Sequence, residues 1–250
     1  MSIVVKDSGT DKTVANVYAQ QSNTDKEVNE VWVYHSGVDE QVFPDGPVIE
    51  DGGYYVGIID STQTEGNSGK RYKLILAPVA SSQSYEEWGG YGSDVSGSDS
   101  KWDGKQNTAD LISDGGHPAA EFCDDLNING YSDWYLPAAD ELELIYRTFK
   151  PDNDSNETSS VNLYGYGSGY NPNSDPQGSS YTENDPAQTE YSDWQSGNDE
   201  EFSTSIDYFS STENSSTGAW KQGFDVGYQK PVPKDEHNRE YVRAVRQEII

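Results

Sequence analysis

Only one cysteine, Cys123, occurs in the 250 residues. No intramolecular disulfide can form, and a zinc site built on thiolates is excluded. Basic residues are also scarce: 16 Lys and Arg face 44 Asp and Glu, for a net charge of −28. Such a surface repels nucleic acid and anionic membranes, so no nucleic-acid partner is expected. No apolar run reaches the length of a membrane-spanning helix, so no membrane insertion is expected. The opening MSIVVKDSGTDK has no basic stretch leading into a long apolar run, and predicts no secretory leader.

Catalytic signatures are missing as well. There is no Gly-x-Ser-x-Gly, no phosphate loop with Gly-Lys-Ser/Thr and no His-Glu-x-x-His. An Asp/Glu pair of the glycosidase kind stays open among so many carboxylates. His35, His117 and His237 lie far apart without metal-ligand spacing and read as surface or capping residues. Asp152-x-Asp154-x-Asn156 starts as a calcium loop starts. Glu157 then stands where glycine is needed, and Leu163 where the closing Glu belongs. No catalytic residue, metal site or cofactor is assigned.

What is present is aromatic. Apolar residues make up only 32%, yet 18 Tyr and 6 Trp can supply a core. Ala119, Ala120, Phe122, Cys123 and Leu126 form an apolar stripe at helical spacing after Pro118, which suits a first helical turn. Asn129-Gly130 is read as its cap and turn. A second helix spans 138–149, with Leu142, Ile145, Tyr146 and Phe149 on one face. Its Asp140, Glu141 and Glu143 sit where negative charge suits the helix dipole. Strands are read at 53–59 and 73–78, and residues 81–118 are mostly polar with Trp88, Tyr91 and Trp102 interspersed. Two helices among many short extended pieces predict an α+β domain.

The string Gly130-Tyr-Ser-Asp-Trp134-Tyr-Leu136-Pro137 lies between those helices. It is answered by Tyr208-Phe-Ser-Ser-Thr-Glu213, Ala219-Trp220 and the closing Tyr241-Val-Arg-Ala-Val-Arg246. In this order the strings resemble the Lcl C-terminal domain family over residues 50–247. That family has a C-type-lectin-like fold and occurs in bacterial surface adhesins and phage tail proteins. The resemblance implies a C-type-lectin-like domain with two helices and several short antiparallel strands, and a binding role. Many members of the family pair a cysteine at the Cys123 position with one in the closing string. Here that second position is Ala244, so the resemblance implies that packing alone joins the first helix to the last strand. Trp134 and Leu136 are read as core, and Cys123 as a small buried apolar residue.

Residues 1–47 carry a different signal. Asp11-Lys-Thr-Val14, Asp25-Lys-Glu-Val28 and Asp39-Glu-Gln-Val42 recur every 14 residues, with Val17-Tyr18 and Val31-Trp32 in matching slots. Units this short must stack on one another, on other subunits or on a partner. They resemble repeats of phage tail and fibre proteins. An ordinary sheet attached to the main domain is the plain alternative. Pro44-Asp45-Gly46-Pro47 marks a boundary, giving an attachment region at 1–47 and a recognition domain at 48–250.

Residues 150–201 are rich in Asn, Asp, Ser, Gly and Pro and show neither helical nor strand period. Within this long insertion lie Tyr164, Tyr166, Tyr170, Tyr181, Tyr191 and Trp194. Tyr among Ser, Gly and Asn is the composition of antibody-type binding loops. These six are the candidate ligand contacts. With the resemblance they imply a phage tail fibre-tip or receptor-binding protein, not an enzyme, that recognises a host cell-surface glycan or protein. Residues 1–43 would join other tail proteins or a homo-oligomer such as a trimer. A virion location, with release by lysis, reconciles an extracellular-looking domain with the missing leader. The alternatives are a bacterial surface adhesin or lectin, and a carbohydrate-degrading tail enzyme.

Overall fold

Alternation along single strands sends neighbouring side chains into two separate apolar cores. The computed structural model describes residues 17–19, 31–35, 38–42, 49–50, 52–235 and 237–250. They fall into two compact units, Met1–Val48 and Ile49–Ile250.

In the first unit β1 (Val17–Ala19), β2 (Val31–His35) and β3 (Val38–Val42) form an antiparallel meander. Its register sets Val17 opposite Val33 and Tyr18 opposite Trp32. Tyr18 and Trp32, 14 residues apart in the repeat, are thus direct cross-strand partners. The repeat positions at Asp11–Val14 and Asp25–Val28, the Pro44–Pro47 boundary and the His35 side chain lie outside the described residues.

The second unit opens with β4 (Ile49–Glu50), β5 (Gly53–Asp60), the short α1 (Thr62–Glu65), β6 (Arg71–Leu76), the short α2 (Val79–Ser82) and β7 (Gln83–Glu87). Three longer helices follow: α3 (Gly104–Asp114), α4 (Pro118–Asp124) and α5 (Ala139–Phe149). After β8 (Ser174–Asp175) the chain ends in β9 (Tyr208–Ser215), β10 (Gly218–Gln222), β11 (Gln229–Pro233), β12 (Arg239–Arg243) and β13 (Val245–Ile249). One sheet runs β11-β10-β9-β12-β7, the other β13-β6-β5-β4 with β8 added on β5. Pairing is antiparallel except for the single β9–β12 contact, Tyr208 opposite Tyr241. The unit is therefore α+β.

The closing string changes sheets at Ala244, with Arg239–Arg243 in the first and Val245–Ile249 against β6 in the second. Successive side chains on a strand point to opposite faces. Leu74 and Leu76 accordingly enter one apolar cluster, and Ile75 and Ala77 the other. Tyr208 and Phe209, Tyr135 and Trp134, and Val245 and Ala244 divide in the same way. Nine of the seventeen buried residues in the first cluster are Tyr, Phe or Trp, so large rings do replace the missing aliphatics. Phe149 stacks on Trp194 with centroids 3.8 Å apart, and Phe202 on Phe224 at 4.0 Å.

Cys123 and Ala244 are both buried in the second cluster, and burial pushes the Cys123 thiol up. No bond is needed where the small side chains already exclude water. Trp134 is buried there too, with its indole N–H donated to the Tyr131 carbonyl at 2.9 Å.

Three sequence expectations change. The polar stretch 81–118 contains α3, capped by the Asp103 carboxylate on the Gln106 N–H at 3.2 Å. Helix α4 ends at Asp124, before Asn129-Gly130. Those two residues take positive φ of 54° and 88° in a tight turn bridging Ile128 and Tyr131. His117, read as surface or capping, does stand at the N-cap position of α4, but it is fully buried there, edge-on to Trp88 at 5.2 Å.

Candidate functional site

Helix α5 positions the long insertion through its acids. Asp140, Glu141 and Glu143 are all buried, not merely complementary to the helix dipole. Each is matched by neutral or cationic donors. Glu143 accepts from Asn171 Nδ2 at 2.8 Å and from the Tyr181 phenol at 3.0 Å, and pairs with Arg147 at 2.8 Å. Asp140 Oδ2 accepts from Asn173 Nδ2 at 2.7 Å and from the Tyr164 phenol at 2.5 Å. Glu141 faces the other way, onto the phenols of Tyr72 and Tyr135. Burial raises the carboxyls of all three, Asp140 to about 7 and Glu141 to about 8.

The insertion is further tied down at its start. The buried Lys150 ammonium donates to the Asp154 carbonyl and, at 2.9 Å, to Asn156 Oδ1. The string that begins like a calcium loop thus wraps an internal cation from its own chain. Burial lowers the Lys150 ammonium, and the nearby Asp152 and Asp154 oppose that shift. Isolated bridges Val161–Gly167, Asn171–Gly178 and Thr182–Asp185 fold the rest into small turns, and β8 adds to the sheet.

Tyr164 and Asn173, the two partners of Asp140, border a cleft of about 380 Å³. Glu65, Asp99, Lys101, Trp102, Tyr164 and Asn173 line it. The Lys101 ammonium lies 4.1 Å from the Tyr164 ring centroid. Tyr164 meets Tyr170 edge-on at 6.1 Å, and Tyr170 meets Tyr166 at 4.6 Å. Tyr166 is 58% exposed.

The six candidate contacts therefore separate. Tyr164, Tyr166 and Tyr170 come together beside the cleft. Tyr181 and Trp194 are 5% and 1% exposed and belong to the aromatic core, with no ring face left for a ligand. Tyr191 is half-buried against Phe149 at 6.0 Å. The core is poor in aliphatic residues, so it recruits rings from the insertion that the sequence alone placed on a surface. Lys101 and Trp102 join the site from the loop before α3, and no periodicity marked them. Trp88 is buried, while Tyr91 is exposed at another cleft, of about 520 Å³, which His237 also lines.

Among the described residues no three His, Cys, Asp or Glu are grouped to hold a metal ion. No described helix is long and apolar enough to cross a membrane. The chain matches no known family model, no curated protein and no solved structure.

Proposed function

We propose that the chain is a phage tail-tip recognition protein whose second unit is a C-type-lectin-like domain contacting a host-surface glycan or protein. The observation that carries this reading is the contiguous Tyr164, Tyr170 and Tyr166 surface on an insertion pinned to α5. Rigid aromatic rings give large contact area at small entropic cost, and a few such anchors usually dominate binding. The lectin-like assignment is supported by the two helices flanking the Gly130–Pro137 string, the closing strand β13 laid against β6, and an insertion between α5 and β9. The 14-residue repeats favour residues 1–43 as the part that joins other tail proteins or a homo-oligomer. The missing catalytic signatures favour binding over turnover.

The test is competition. Purified protein should block infection of susceptible cells, and the triple Tyr164→Ala, Tyr166→Ala, Tyr170→Ala variant, folded, should not. Equal blocking by the triple variant would place recognition elsewhere. Labelling of virions by antibody to the chain should mark tail tips. Attachment to cells without virion labelling would point instead to a bacterial adhesin.

A further inference from the structure

The ammonium of Lys221 touches two carboxylates at once. Lys221 lies on β10 and is 9% exposed. Its Nζ stands 2.6 Å from Asp207 Oδ2 and 2.5 Å from Glu240 Oε1. Asp207 immediately precedes β9, and Glu240, equally buried, lies on β12. These strands are neighbours in the order β10-β9-β12, so the sheet itself brings the three groups together. The Tyr228 phenol reaches Asp207 Oδ1 at 2.8 Å and Oδ2 at 2.7 Å. The Asp207 carbonyl accepts from the Tyr241 N–H at 2.9 Å, which fixes its backbone against β12. Two other buried lysines are held differently. Lys234 pairs with the Glu213 carboxylate and a backbone carbonyl, and Lys150 with backbone carbonyls and the Asn156 amide.

An ion pair needs one acid. A second ionised carboxylate on the same buried ammonium leaves an excess negative charge, which burial penalises. Burial accordingly raises the Glu240 carboxyl; Lys221 opposes the rise and Asp207 adds to it. An amine, a carboxyl and a second carboxyl able to take one proton while giving another are the groups that amide formation requires.

We propose that Lys221 and Asp207 condense after folding into an intramolecular amide, with Glu240 as the catalytic proton shuttle and Tyr228 holding the carboxyl oxygens. The reaction closes without an outside reagent. A proton passes from the Lys221 ammonium to the Asp207 carboxylate, leaving an amine and a neutral carboxyl. The amine lone pair then bonds to Cγ, and the carbonyl electron pair moves onto an oxygen that Tyr228 holds. Glu240 takes one proton from the nitrogen and gives its own to the hydroxyl oxygen. The bond from Cγ to that oxygen breaks, its electron pair stays on the oxygen, and water leaves. One ammonium and one carboxylate become one amide and one water.

Contact between the partners replaces a bimolecular encounter. The product also removes a buried ion pair whose desolvation is costly. Burial lowers the Lys221 ammonium, but Asp207 and Glu240 outweigh it and the net shift is upward. The free amine therefore forms rarely, and condensation is a slow, single event in each molecule. With one cysteine the chain can form no internal disulfide. An amide at the base of the β9–β10 hairpin braces the sheet covalently by another chemistry. None of this depends on the receptor-binding reading.

The mass of the purified full chain, measured after denaturation, tests this. Wild-type protein kept folded should mature to a species lighter by one water. Digestion after glutamate cuts at Glu213, between the two residues, and should leave their peptides joined. Lys221→Arg and Asp207→Ala should keep the full mass and give separate peptides. Glu240→Gln, folded, should do the same, because an amide cannot exchange the protons. A wild type that keeps its full mass on prolonged incubation, with separate peptides, overturns the proposal. So does a water loss that persists in Lys221→Arg, or Lys221 joined to the peptide bearing Glu240. Undiminished condensation in Glu240→Gln would overturn the role given to Glu240. If a variant does not fold, the peptides of the wild type decide alone.

Discussion

The Arg243 guanidinium is buried against the Glu200 carboxylate, joining the closing strand to the end of the long insertion. Arg243 also donates to the Ala77 and Glu200 carbonyls, each at 3.0 Å, and lies 4.7 Å from the Trp194 ring centroid. Burial lowers the Arg243 guanidinium, and Glu200 opposes that shift. Glu200 in turn accepts from the Val79 N–H at 2.9 Å and from the Tyr54 phenol at 3.2 Å. One ion pair thus fastens β12, α2, β5 and the insertion together.

Removing one partner of such a pair strands the other charge. Glu200→Ala should destabilise the domain by about 3–5 kcal/mol in urea unfolding. A loss below about 1 kcal/mol would mean that water already reaches the guanidinium.

Trp194 provides a separate test. Its ring stacks on Phe149 and meets Tyr54 edge-on at 5.0 Å. Trp194→Ala should cost about 3–5 kcal/mol, as deletion of a buried large ring does. Cell attachment at temperatures where the variant stays folded should be preserved. Lost attachment with an unchanged melting curve would return Trp194 to the ligand surface.

Much of the α+β frame was legible because periodicity carried it. Leu142, Ile145, Tyr146 and Phe149 recur at helical spacing and do line the inner face of α5. The strands read at 53–59 and 73–78 are found at Gly53–Asp60 and Arg71–Leu76, the second starting and ending two residues earlier. Helix α3 was hidden because its buried face includes Gly104, Asn107 and Thr108, polar or small positions that bond rather than pack: Asn107 to the Ser100 carbonyl, Thr108 to that of Leu136. The buried acids of α5 were hidden for the opposite reason. Acidic residues in a first turn look complementary to the helix dipole, and only the chain folding back over them reveals their partners. The candidate contacts divided where sequence holds least information, since a Tyr that seals a core and a Tyr that meets a partner have the same local neighbours.

Residues 49–250 should fold without the first unit. Ile49–Ile250 is a compact unit by itself and contains the two described apolar clusters. A shortened chain beginning at Ile49 should melt cooperatively, with a midpoint close to that of the second unit in the full protein. A non-cooperative melt would show that residues 1–48 complete the core.

The pH dependence of global stability should follow Glu141 as well as Asp140. Tyr72 has one hydroxyl proton and two acceptors in reach, the Trp102 carbonyl at 2.5 Å and Glu141 Oε1 at 2.8 Å. A protonated Glu141 resolves this competition by donating to the Tyr72 oxygen. Burial accordingly raises the carboxyl from 4.5 to about 8, although the bonds from Tyr135, the Ala138 N–H and Tyr72 oppose it. The folded state therefore keeps a proton that the unfolded chain releases above about pH 4.5. Stability from this group is fully present below that value and is lost as pH rises through about 8. The slope is at most about 1.4 kcal/mol per pH unit in that window. Glu141→Gln presents an amide donor where the carboxyl proton would be, and should flatten this component while leaving that of Asp140. Urea titrations from pH 4.5 to 8.5 should show wild-type stability declining and the variant declining less steeply. Parallel curves would mean that Glu141 is ionised in the fold, with the Tyr72 proton directed to it and the Trp102 carbonyl left to other donors.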